Sequence, residues 1–222
     1  GRFRDLHIAH HRDENLTDPY DDPESNYMDP LVWARLGAPL RTLLRVNNTL
    51  FGRMLIGPAV SIFAVMRADF QAIRAGDRAI RRDWILHALG LVPVILWVVW
   101  SPMPVWLYVV AAYGGMSILK IRTFLEHRAH DLAQGRTVVV EGRGALPFLF
   151  LYNNFHFVHH SKPGVPWYRL PSLYAERKAE FLTRNDGYVY RSYGDVFRRY
   201  FFRAKDPVPH PVFPVDKGGV LD

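Results

Sequence analysis

The stretch WILHALGLVPVILWVVWSPMPVWLYVVAAYGGMSIL, residues 84–119, decides the fold of this chain. It contains no Asp, Glu, Lys or Arg, its one histidine is His87, and the turn at residues 101–104 divides it. A helix that crosses a bilayer needs roughly 20 apolar residues, with a lower limit near 17. The stretch therefore predicts two short transmembrane helices, residues 84–100 and 105–119. A buried helical hairpin in a soluble protein is the alternative.

Charged and aromatic residues around this hairpin predict its orientation. Basic residues crowd both outer ends, whereas the turn carries none; they are Arg78, Arg81, Arg82, Lys120, Arg122 and Arg128. Cytoplasmic loops of membrane proteins carry the excess of Lys and Arg, so both ends of the hairpin are expected in the cytoplasm. Aromatic residues flank the turn like an interfacial belt: Trp97, Trp100, Trp106 and Tyr108.

Shorter elements are predicted on both sides of the hairpin. Residues 31–45 have leucines at helical spacing and predict an amphipathic helix. Residues 50–66 are apolar but interrupted by Gly and Pro, which suits an interfacial or re-entrant helix. Residues 68–83 predict a polar helix, residues 137–140 a short strand and residues 146–160 a further helix.

Composition limits both the metal chemistry and the partners. The 222 residues contain no cysteine, which excludes disulfides, thiolate zinc sites, iron–sulfur clusters and cysteine nucleophiles. The net charge of +7 suits nucleic acid, an anionic membrane face or acidic partner proteins. Residues 188–203 interleave aromatic and basic side chains, and this pattern favours a helix at the membrane interface over an RNA-binding surface. No nucleic-acid partner is therefore expected.

Eight of the ten histidines fall into three groups. Two groups share the pattern H-x-x-H-H and a third lies between them: His7-Ile8-Ala9-His10-His11, His127-Arg128-Ala129-His130 and His156-Phe157-Val158-His159-His160. On a helix, positions i, i+3 and i+4 share one face, so each H-x-x-H-H group can point two or three imidazoles at a metal. Six or more histidines exceed one zinc site and predict two ions. The isolated His87 and His210 are interpreted as ordinary core histidines.

The residue types alone leave the identity of the metal open. Imidazole nitrogen binds iron, copper and zinc. The zinc peptidase motif H-E-x-x-H is absent, and so are the Glu-x-x-His pairs of soluble di-iron bundles. Haem held by two facing histidines is a rival to a pair of metal ions. Adjacent histidines fit haem poorly, because neighbouring side chains on a helix point about 100° apart.

These motifs and their surroundings resemble the membrane fatty acid desaturase/hydroxylase superfamily. The resemblance rests on two H-x-x-H-H groups separated by a membrane hairpin and on the phrases beside them. Those phrases are His10-His11-Arg12-Asp13 with Leu16-Thr17-Asp18-Pro19 and Asp22-Pro23-Glu24-Ser25, Glu126-His127, and residues 153–160 leading into Pro163-Gly164-Val165-Pro166-Trp167-Tyr168. The expected fold is all-α, an integral membrane helical hairpin with a cytosolic helical cap that carries the histidine groups, in one domain over residues 1–222.

The resemblance also implies a set of metal ligands. Two irons are expected at the cytosolic face, bound by His7, His10, His11, His127, His156, His159 and His160. One of Asn153 and Asn154 is expected to hold a water near a metal.

Further polar residues lie beside the predicted ligands. Asp13, Glu14 and Glu126 are expected either to orient ligand imidazoles through the second ring nitrogen or to be solvated. His130 has no firm counterpart in the family, and it is either a hydrogen-bond partner near the centre or a surface residue.

The chain departs from the family pattern in one respect. The family's first histidine motif, H-x(3,4)-H, lies on a helix before the other two groups, and no such motif precedes His7 here. It is expected upstream of Gly1 together with an N-terminal membrane hairpin, so the domain is expected to be incomplete. Without those two ligands, this chain alone is expected to bind iron incompletely and to be inactive.

The resemblance finally implies a reaction. A reduced di-iron centre that activates O₂ is expected to desaturate an acyl chain or related lipid. Two alternatives stay open: a hydroxylase or ketolase of an alkane or carotenoid, and a non-catalytic membrane protein that binds metal or haem. No flavin motif or cysteine cluster is visible, so electrons are expected from an external donor such as a small acidic ferredoxin, which suits the positive charge.

Overall fold

Helices account for most of the chain in the computed structural model, which describes residues 2–11 and 13–213. Seven helices precede the second histidine group: α1 (Arg2–His10), α2 (Pro30–Arg35), α3 (Ala38–Asn47), α4 (Leu50–Leu55), α5 (Gly57–Arg74), α6 (Arg78–Trp100) and α7 (Val105–Thr123). Five follow it: α8 (Ala145–Leu149), α9 (His156–Ser161), α10 (Leu170–Glu176), α11 (Lys178–Arg184) and α12 (Tyr193–Tyr200). Short 3-10 helices cover Asp13–Asn15, Ala133–Arg136 and Trp167–Arg169.

One short parallel strand pair accompanies the helices in the described part of the chain. Strand β1 (Val139–Val140) pairs with β2 (Val189–Tyr190), with Val139 opposite Val189 and Val140 opposite Tyr190. The mostly helical architecture agrees with the all-α prediction, and β1 lies within the predicted strand at residues 137–140.

The two longest helices, α6 and α7, are joined by the predicted turn at residues 101–104. Asp77 begins α6 by accepting hydrogen bonds from two backbone N–H groups at 2.9 Å, and Pro102 and Pro104 keep the turn from continuing as helix. Within the described residues, α6 is the one helix long and apolar enough to cross a membrane, so the membrane hairpin stays a prediction. Trp97 and Trp100 are 78 % and 79 % exposed, as expected of a surface that meets an apolar environment.

Helices α4 and α5 both pack along α7. The chain reverses its direction between them, beside the middle of α7. They meet at Ile56, where the Tyr113 hydroxyl donates a 2.6 Å hydrogen bond to the carbonyl of Leu55. Nearer the C-terminal end of α7, Lys120 Nζ donates to Ser61 Oγ at 2.6 Å. In apolar surroundings, a backbone carbonyl at a break between helices needs a polar partner. The Tyr113 hydroxyl is that partner here. The break between α4 and α5 falls within residues 50–66, for which an interfacial or re-entrant helix is predicted, and α5 continues beyond them to Arg74.

Three predicted helices are each broken in two by the backbone. Residues 68–83 are divided between α5 and α6, with Gly76 at a φ of 100° between them. Residues 31–45 form α2 and α3, because Gly37 is extended and the ring of Pro39 cannot continue a helix from α2. Residues 146–160 form α8 and α9, because Leu151 and Tyr152 between them have left-handed φ angles of 51° and 52°. This left-handed turn redirects the chain, so that the last histidine group begins a new helix.

Two apolar clusters meet at β1 and form the core. The first joins α4, the end of α7, β1 and α12, and includes Leu50, Phe124, Leu125, Val140 and Val196. The second packs α9, α10 and α11 on β1, and includes Val139, Phe157, Val158, Leu170 and Phe181. Successive side chains of a strand point to opposite faces, so the two residues of β1 belong to different clusters and tie them together.

A buried ion pair attaches α1 to the long helices. Asp69 of α5 is 1 % exposed and accepts hydrogen bonds from Arg2 Nε at 2.8 Å and from Trp84 Nε1 of α6 at 2.9 Å. Arg2 Nη2 lies 2.7 Å from the same carboxylate. Three helices thus meet at one carboxylate, and the position of α1 depends on it.

The substitution Asp69→Asn is expected to loosen this junction, because it leaves the Arg2 guanidinium without its anion. Arg2 is partly exposed, so we expect a loss of about 2 kcal/mol in the free energy of unfolding rather than the larger cost of a fully buried pair. Asp83→Asn is the matched control, since Asp83 pairs with the exposed Arg82 at 3.3 Å. Thermal unfolding in detergent compares the two variants; equal losses would contradict the assignment.

Candidate metal centre

The two H-x-x-H-H groups lie on short helices that face each other. His7 and His10 lie on α1, and the N–H of His11 continues the helical pattern by bonding to the His7 carbonyl at 3.1 Å. His156 begins α9, on which Phe157 and Val158 are buried in the second core cluster. Burial of that apolar face turns the histidine face of α9 towards α1.

Four imidazoles converge on one point between these helices. The group consists of His10, His127, His156 and His160, whose nearest ring nitrogens all lie within 4.8 Å of one another. His127 Nε2 lies 2.9 Å from His10 Nε2 and 3.1 Å from His156 Nε2. The nitrogens therefore point at a common centre.

Three further imidazoles form a second group beside the first. His11 Nε2 lies 3.1 Å from His7 Nε2 and 3.1 Å from His159 Nε2, and the three nitrogens lie within 4.8 Å of one another. The rings of His11 and His160 stack with centroids 4.3 Å apart and an interplanar angle of 20°. This stacked pair connects the two groups.

Helix geometry explains why each H-x-x-H-H group is divided between the two sites. At 3.6 residues per turn, positions i and i+4 lie about 40° apart, whereas i+3 lies about 60° to the other side of i. His7 and His11 accordingly enter the three-histidine group while His10 enters the four-histidine group. On α9 the division is reversed: His156 and His160 enter the four-histidine group and His159 the other. Each centre thus combines an i, i+4 pair from one helix with the i+3 histidine of the other.

Polar partners hold several of these rings through Nδ1 and leave Nε2 pointing inward. The contacts are His10 Nδ1 to Asp22 Oδ1 at 2.8 Å, His7 Nδ1 to Glu24 Oε1 at 3.2 Å, His127 Nδ1 to Thr137 Oγ1 at 3.2 Å and His156 Nδ1 to Asn153 Oδ1 at 3.2 Å. A partner on one ring nitrogen fixes the tautomer and the ring orientation of a metal-binding histidine.

One carboxylate touches both groups. Glu24 contacts His7 of the three-histidine group, and its other oxygen lies 4.0 Å from His10 Nε2 of the four-histidine group. Burial alone would raise the pKa of Glu24, but its hydrogen bond with His7 and the nearby charge of His10 hold that pKa below the usual value. Glu24 is therefore ionised beside both groups, where it favours bound cations.

Burial keeps most of the converging imidazoles neutral. Burial, followed by the charge of the neighbouring His160, lowers the pKa of four imidazoles: that of His11 to about 3, that of His159 to about 4, and those of His127 and His156 well below the ordinary value. Burial acts in the same direction on His10, but the hydrogen bond and charge of Asp22 outweigh it and raise the pKa of His10. A neutral imidazole offers its lone pair to a metal without first releasing a proton.

The donor set fits two metal ions. Two nitrogens that bind one ion at about 2.0–2.1 Å, at right angles, lie about 3 Å apart, and the Nε2 separations here are 2.9–3.1 Å. Where Nδ1 carries the ring proton, as its carboxylate partners favour for His7 and His10, the Nε2 lone pairs repel at that distance, and a cation between them removes the repulsion. The described residues offer four nitrogens to one ion and three to the other.

The comparisons with known proteins agree with this arrangement. The model of the fatty acid desaturase family matches residues 1–192. The chain belongs to the fatty acid desaturase family. Family membership, predicted from the histidine motifs, is thereby confirmed.

A curated relative of this family member is the beta-carotene ketolase of Paracoccus sp. (strain N81106 / MBIC 01143). The two are 29 % identical over 174 residues, which is 75 % of this chain and 54 % of that protein. The chain thus spans about half the length of the relative it matches. No solved structure matches the chain.

The remaining predicted residues are placed at different distances from the centre. Glu126 Oε1 lies 3.7 Å from His156 Nδ1 and 2.8 Å from the Nε atom of Arg122, and Asn153 contacts the same imidazole. Asn154 is not brought to the centre: its Nδ2 donates to the Val140 carbonyl at 2.5 Å and ties β1 to the start of α9. Of the two asparagines, one of which is expected to hold a water, Asn153 is therefore the one beside a histidine of the centre.

Several other predicted residues lie away from the two groups. His130 contacts Asp186 and the Leu132 carbonyl, each at 3.1 Å, which places it with the surface alternative. Glu14 is exposed, as expected of a solvated residue, and the side chain of Asp13 lies outside what the structure describes. His210 is buried and lies 3.1 Å from Thr17 Oγ1, whereas His87 is exposed on α6 beside Trp84, contrary to its interpretation as a core residue.

Asp22, Glu24 and Thr137 contact histidines of the centre but are not among the residues predicted above. Asp22 and Glu24 stand in the proline-containing stretch that follows the first histidine group, and carboxylates so close to such a group are a usable signal. Thr137 carries no such signal, because only the isolated bridge between His127 and Thr137 brings it to the ring.

Acid is expected to destabilise the metal-free protein. The folded-state pKa values of about 3 for His11 and about 4 for His159 lie below the value of about 6.5 for an unfolded chain. The contribution of these two imidazoles to the free energy of unfolding is therefore fully present above about pH 6.5, and it is lost as the pH falls towards 4. The raised pKa of His10 acts in the opposite direction, but His10 is one group against the several histidines whose pKa is lowered.

Thermal unfolding of the metal-free protein between about pH 7.5 and 4.5 measures the effect. The His11→Gln variant is the control, and its melting temperature should depend less steeply on pH. A melting temperature that stays constant across this range would contradict the assignment of buried neutral imidazoles.

Proposed function

We propose that this chain forms the metal-binding part of a membrane-embedded di-iron oxygenase, which uses O₂ and external electrons to oxidise a C–H bond of a lipid-soluble substrate. One observation carries the proposal. Seven histidines from three separate parts of the sequence converge into two adjacent groups. In the ring-to-ring contacts described above, they face each other through Nε2. Membership of the fatty acid desaturase family supports iron as the metal, because that family is known for di-iron centres.

Iron supplies the redox chemistry with O₂ that amino-acid side chains lack. The residues of this chain hold the ligands in place. Asp22 and Glu24 orient His10 and His7 through Nδ1, and Asn153 does the same for His156. The pair of Arg122 and the buried Glu126 lies behind this last imidazole, and His10, His156 and His160 of the four-histidine group are buried.

A haem protein is the less favoured alternative on geometric grounds. A haem needs a flat slot between two nitrogens that bind on opposite faces of the ring. Here Nε2 atoms approach to 2.9–3.1 Å and several of them share each centre, which leaves no plane for a porphyrin. A non-catalytic protein that binds two metal ions stays an outcome of the experiment below.

Two oxidations fit a centre of this kind. Desaturation removes two hydrogen atoms from neighbouring carbons of an acyl chain, and with two electrons and two protons O₂ leaves as water. Ketolation replaces both hydrogens of one methylene with an oxygen atom and needs a second round of O₂ and electrons. The family favours an acyl substrate, whereas the 29 % identical beta-carotene ketolase favours a carotenoid.

The same proposal covers the location and the partners. Helix α6 and the exposed apolar surface of α7 suit a membrane, and the basic residues at the outer ends of the hairpin place the histidine groups on the cytoplasmic side. The net charge of +7 suits an acidic electron donor such as a ferredoxin.

Product analysis tests the activity and separates the two reactions. The complete protein, reconstituted in vesicles with iron, a reducing system and O₂, is supplied with β-carotene or with a phospholipid that carries saturated acyl chains. An alkene from the phospholipid supports desaturation, and a ketone from β-carotene supports ketolation. Oxidation of neither substrate, with two irons bound, would favour a non-catalytic metal-binding protein.

Single histidine variants test the division of ligands between two ions. His127→Ala removes one ligand from the four-histidine group and His11→Ala removes one from the three-histidine group, so each is expected to lower bound iron from two ions to about one per complete chain. His130→Ala is the control and should keep both ions, because it lies outside the groups. Loss of both ions in the control, or of none in either variant, would contradict the assignment; a Soret band would indicate haem.

A further inference from the structure

The segment that follows α12 crosses back over the loop that carries the two carboxylates of the metal centre. Residues 204–210 are called the strap below, and residues 16–28 the carboxylate loop. The two segments meet backbone to backbone: the N–H of Met28 donates to the Val208 carbonyl at 2.9 Å, and the N–H of His210 donates to the Met28 carbonyl at 2.8 Å. None of the roles described above uses the strap.

His210 of the strap reaches the four-histidine group through two hydrogen-bonded neighbours. Its Nε2 lies 3.1 Å from the Thr17 hydroxyl. The N–H of Thr17 donates to Asp22 Oδ2 at 2.9 Å, and the other oxygen of Asp22 lies 2.8 Å from His10 Nδ1. All four residues are at most 7 % exposed. Because water cannot replace these buried contacts, a change at His210 is passed on to the His10 ring.

The backbone of Thr17 makes the contact with the strap necessary. Its φ of 71° is left-handed, a conformation in which a β-branched residue is an outlier. Such a conformation persists only where the surrounding contacts fix it. The Ser25 hydroxyl donates to the Thr17 carbonyl at 2.9 Å, and the His210 ring meets the Thr17 side chain. Together they keep the N–H of Thr17 directed at Asp22.

A second residue of the strap holds His127 of the same group. Lys205 Nζ donates to the His127 carbonyl at 2.8 Å, and the adjacent Asp206 balances its charge. Asp206 also accepts a 2.5 Å hydrogen bond from the Tyr27 hydroxyl, which itself accepts from the N–H of Ala129 at 2.9 Å. The strap, the carboxylate loop and the backbone around His127 are thereby joined.

The two contacts of the strap lead to neighbouring imidazoles. His10 Nε2 and His127 Nε2 lie 2.9 Å apart in the four-histidine group. Within the described residues, no hydrogen bond or ion pair joins the strap to the three-histidine group. The family model ends at residue 192, so the strap lies outside the part of the chain that it matches.

We infer that the strap positions the imidazoles of His10 and His127, with His210 and Lys205 as its positioning residues. The strap thereby sets the affinity of the four-histidine group for a metal ion and leaves the three-histidine group nearly unaffected. This inference rests on the part of the proposed function that assigns an ion to the four-histidine group.

Cobalt titration of the complete protein in detergent tests the inference one site at a time. Co²⁺ binds imidazole nitrogen, and its absorption reports binding. In a His11→Ala background the remaining ion occupies the four-histidine group, and in a His127→Ala background the three-histidine group. His210→Ala should weaken Co²⁺ binding about ten-fold in the first background and less than about two-fold in the second. Equal weakening in both backgrounds, or none in the first, overturns the inference.

Conservative variants separate positioning from a loss of packing. His210→Gln offers an amide nitrogen near the place of Nε2 and should bring Co²⁺ affinity back to within about two-fold of the wild type. Thr17→Val removes the hydroxyl at similar volume and should reproduce the loss of about ten-fold. Val212→Ala is the control, because Val212 is 45 % exposed just beyond the strap. A His210→Gln protein as weak as His210→Ala, or wild-type binding in Thr17→Val, overturns the assignment.

Lys205→Met tests the other contact of the strap. It removes the donor to the His127 carbonyl and should also weaken Co²⁺ binding at the four-histidine group about ten-fold. Lys178→Met is the matched control, since Lys178 pairs with Glu141 at the surface, and it should bind Co²⁺ like the wild type. Unchanged binding in Lys205→Met, or an equal loss in the control, overturns the role of Lys205.

Amide hydrogen exchange of the metal-free protein separates this inference from the proposed function. His210→Ala should speed exchange in the carboxylate loop about ten-fold, and Val212→Ala should leave it at the wild-type rate. A wild type that binds no Co²⁺, together with faster exchange in His210→Ala, would refute the proposed function and support the strap. Two ions bound in both proteins, with exchange unchanged, would refute the strap alone.

Discussion

Buried and half-buried, largely neutral imidazoles face one another with their ring nitrogens inward, and the rest of the structure depends on that constraint. At separations of about 3 Å the lone pairs repel, and a buried environment screens that repulsion poorly. The fold has to supply rigid attachments that hold the rings in place. It does so at three points outside the groups: Asp69 for α1, Phe157 and Val158 for α9, and Thr137 for His127.

Neither helix that carries an H-x-x-H-H group is stable through its own length. Helix α1 spans nine residues and α9 six, and isolated helices shorter than about 12–15 residues are marginal in water. Their positions are therefore set by tertiary contacts. The carboxylates of Asp22 and Glu24 act on the first helix and the apolar core on the second, which explains why the sequence around each group differs although the histidine pattern is the same.

Much of this architecture is readable from local patterns, and the rest depends on long-range pairing. The uncharged run around the turn at 101–104 predicts α6 and α7, and the H-x-x-H-H spacing predicts two metals on helical faces. The division of the histidines of α1 and α9 between both groups cannot be predicted from the sequence, because it depends on how the two helices face each other. The left-handed pair Leu151 and Tyr152 also escapes prediction, since neither residue favours that conformation. The interpretation of His87 as a core histidine is wrong, because an isolated histidine carries no local signal of its burial and the structure exposes it on α6.

Because α1 and α9 each contribute to both histidine groups, two bound ions would link two distant parts of the polypeptide. His7 to His11 and His156 to His160 are separated by well over a hundred residues in sequence, and closing so long a loop costs chain entropy that bound cations offset. Displacing either helix would take histidines away from both groups at once. Filling of the two sites and seating of α1 would therefore reinforce each other, while the Asp69 contacts keep α1 in place when no ion is bound.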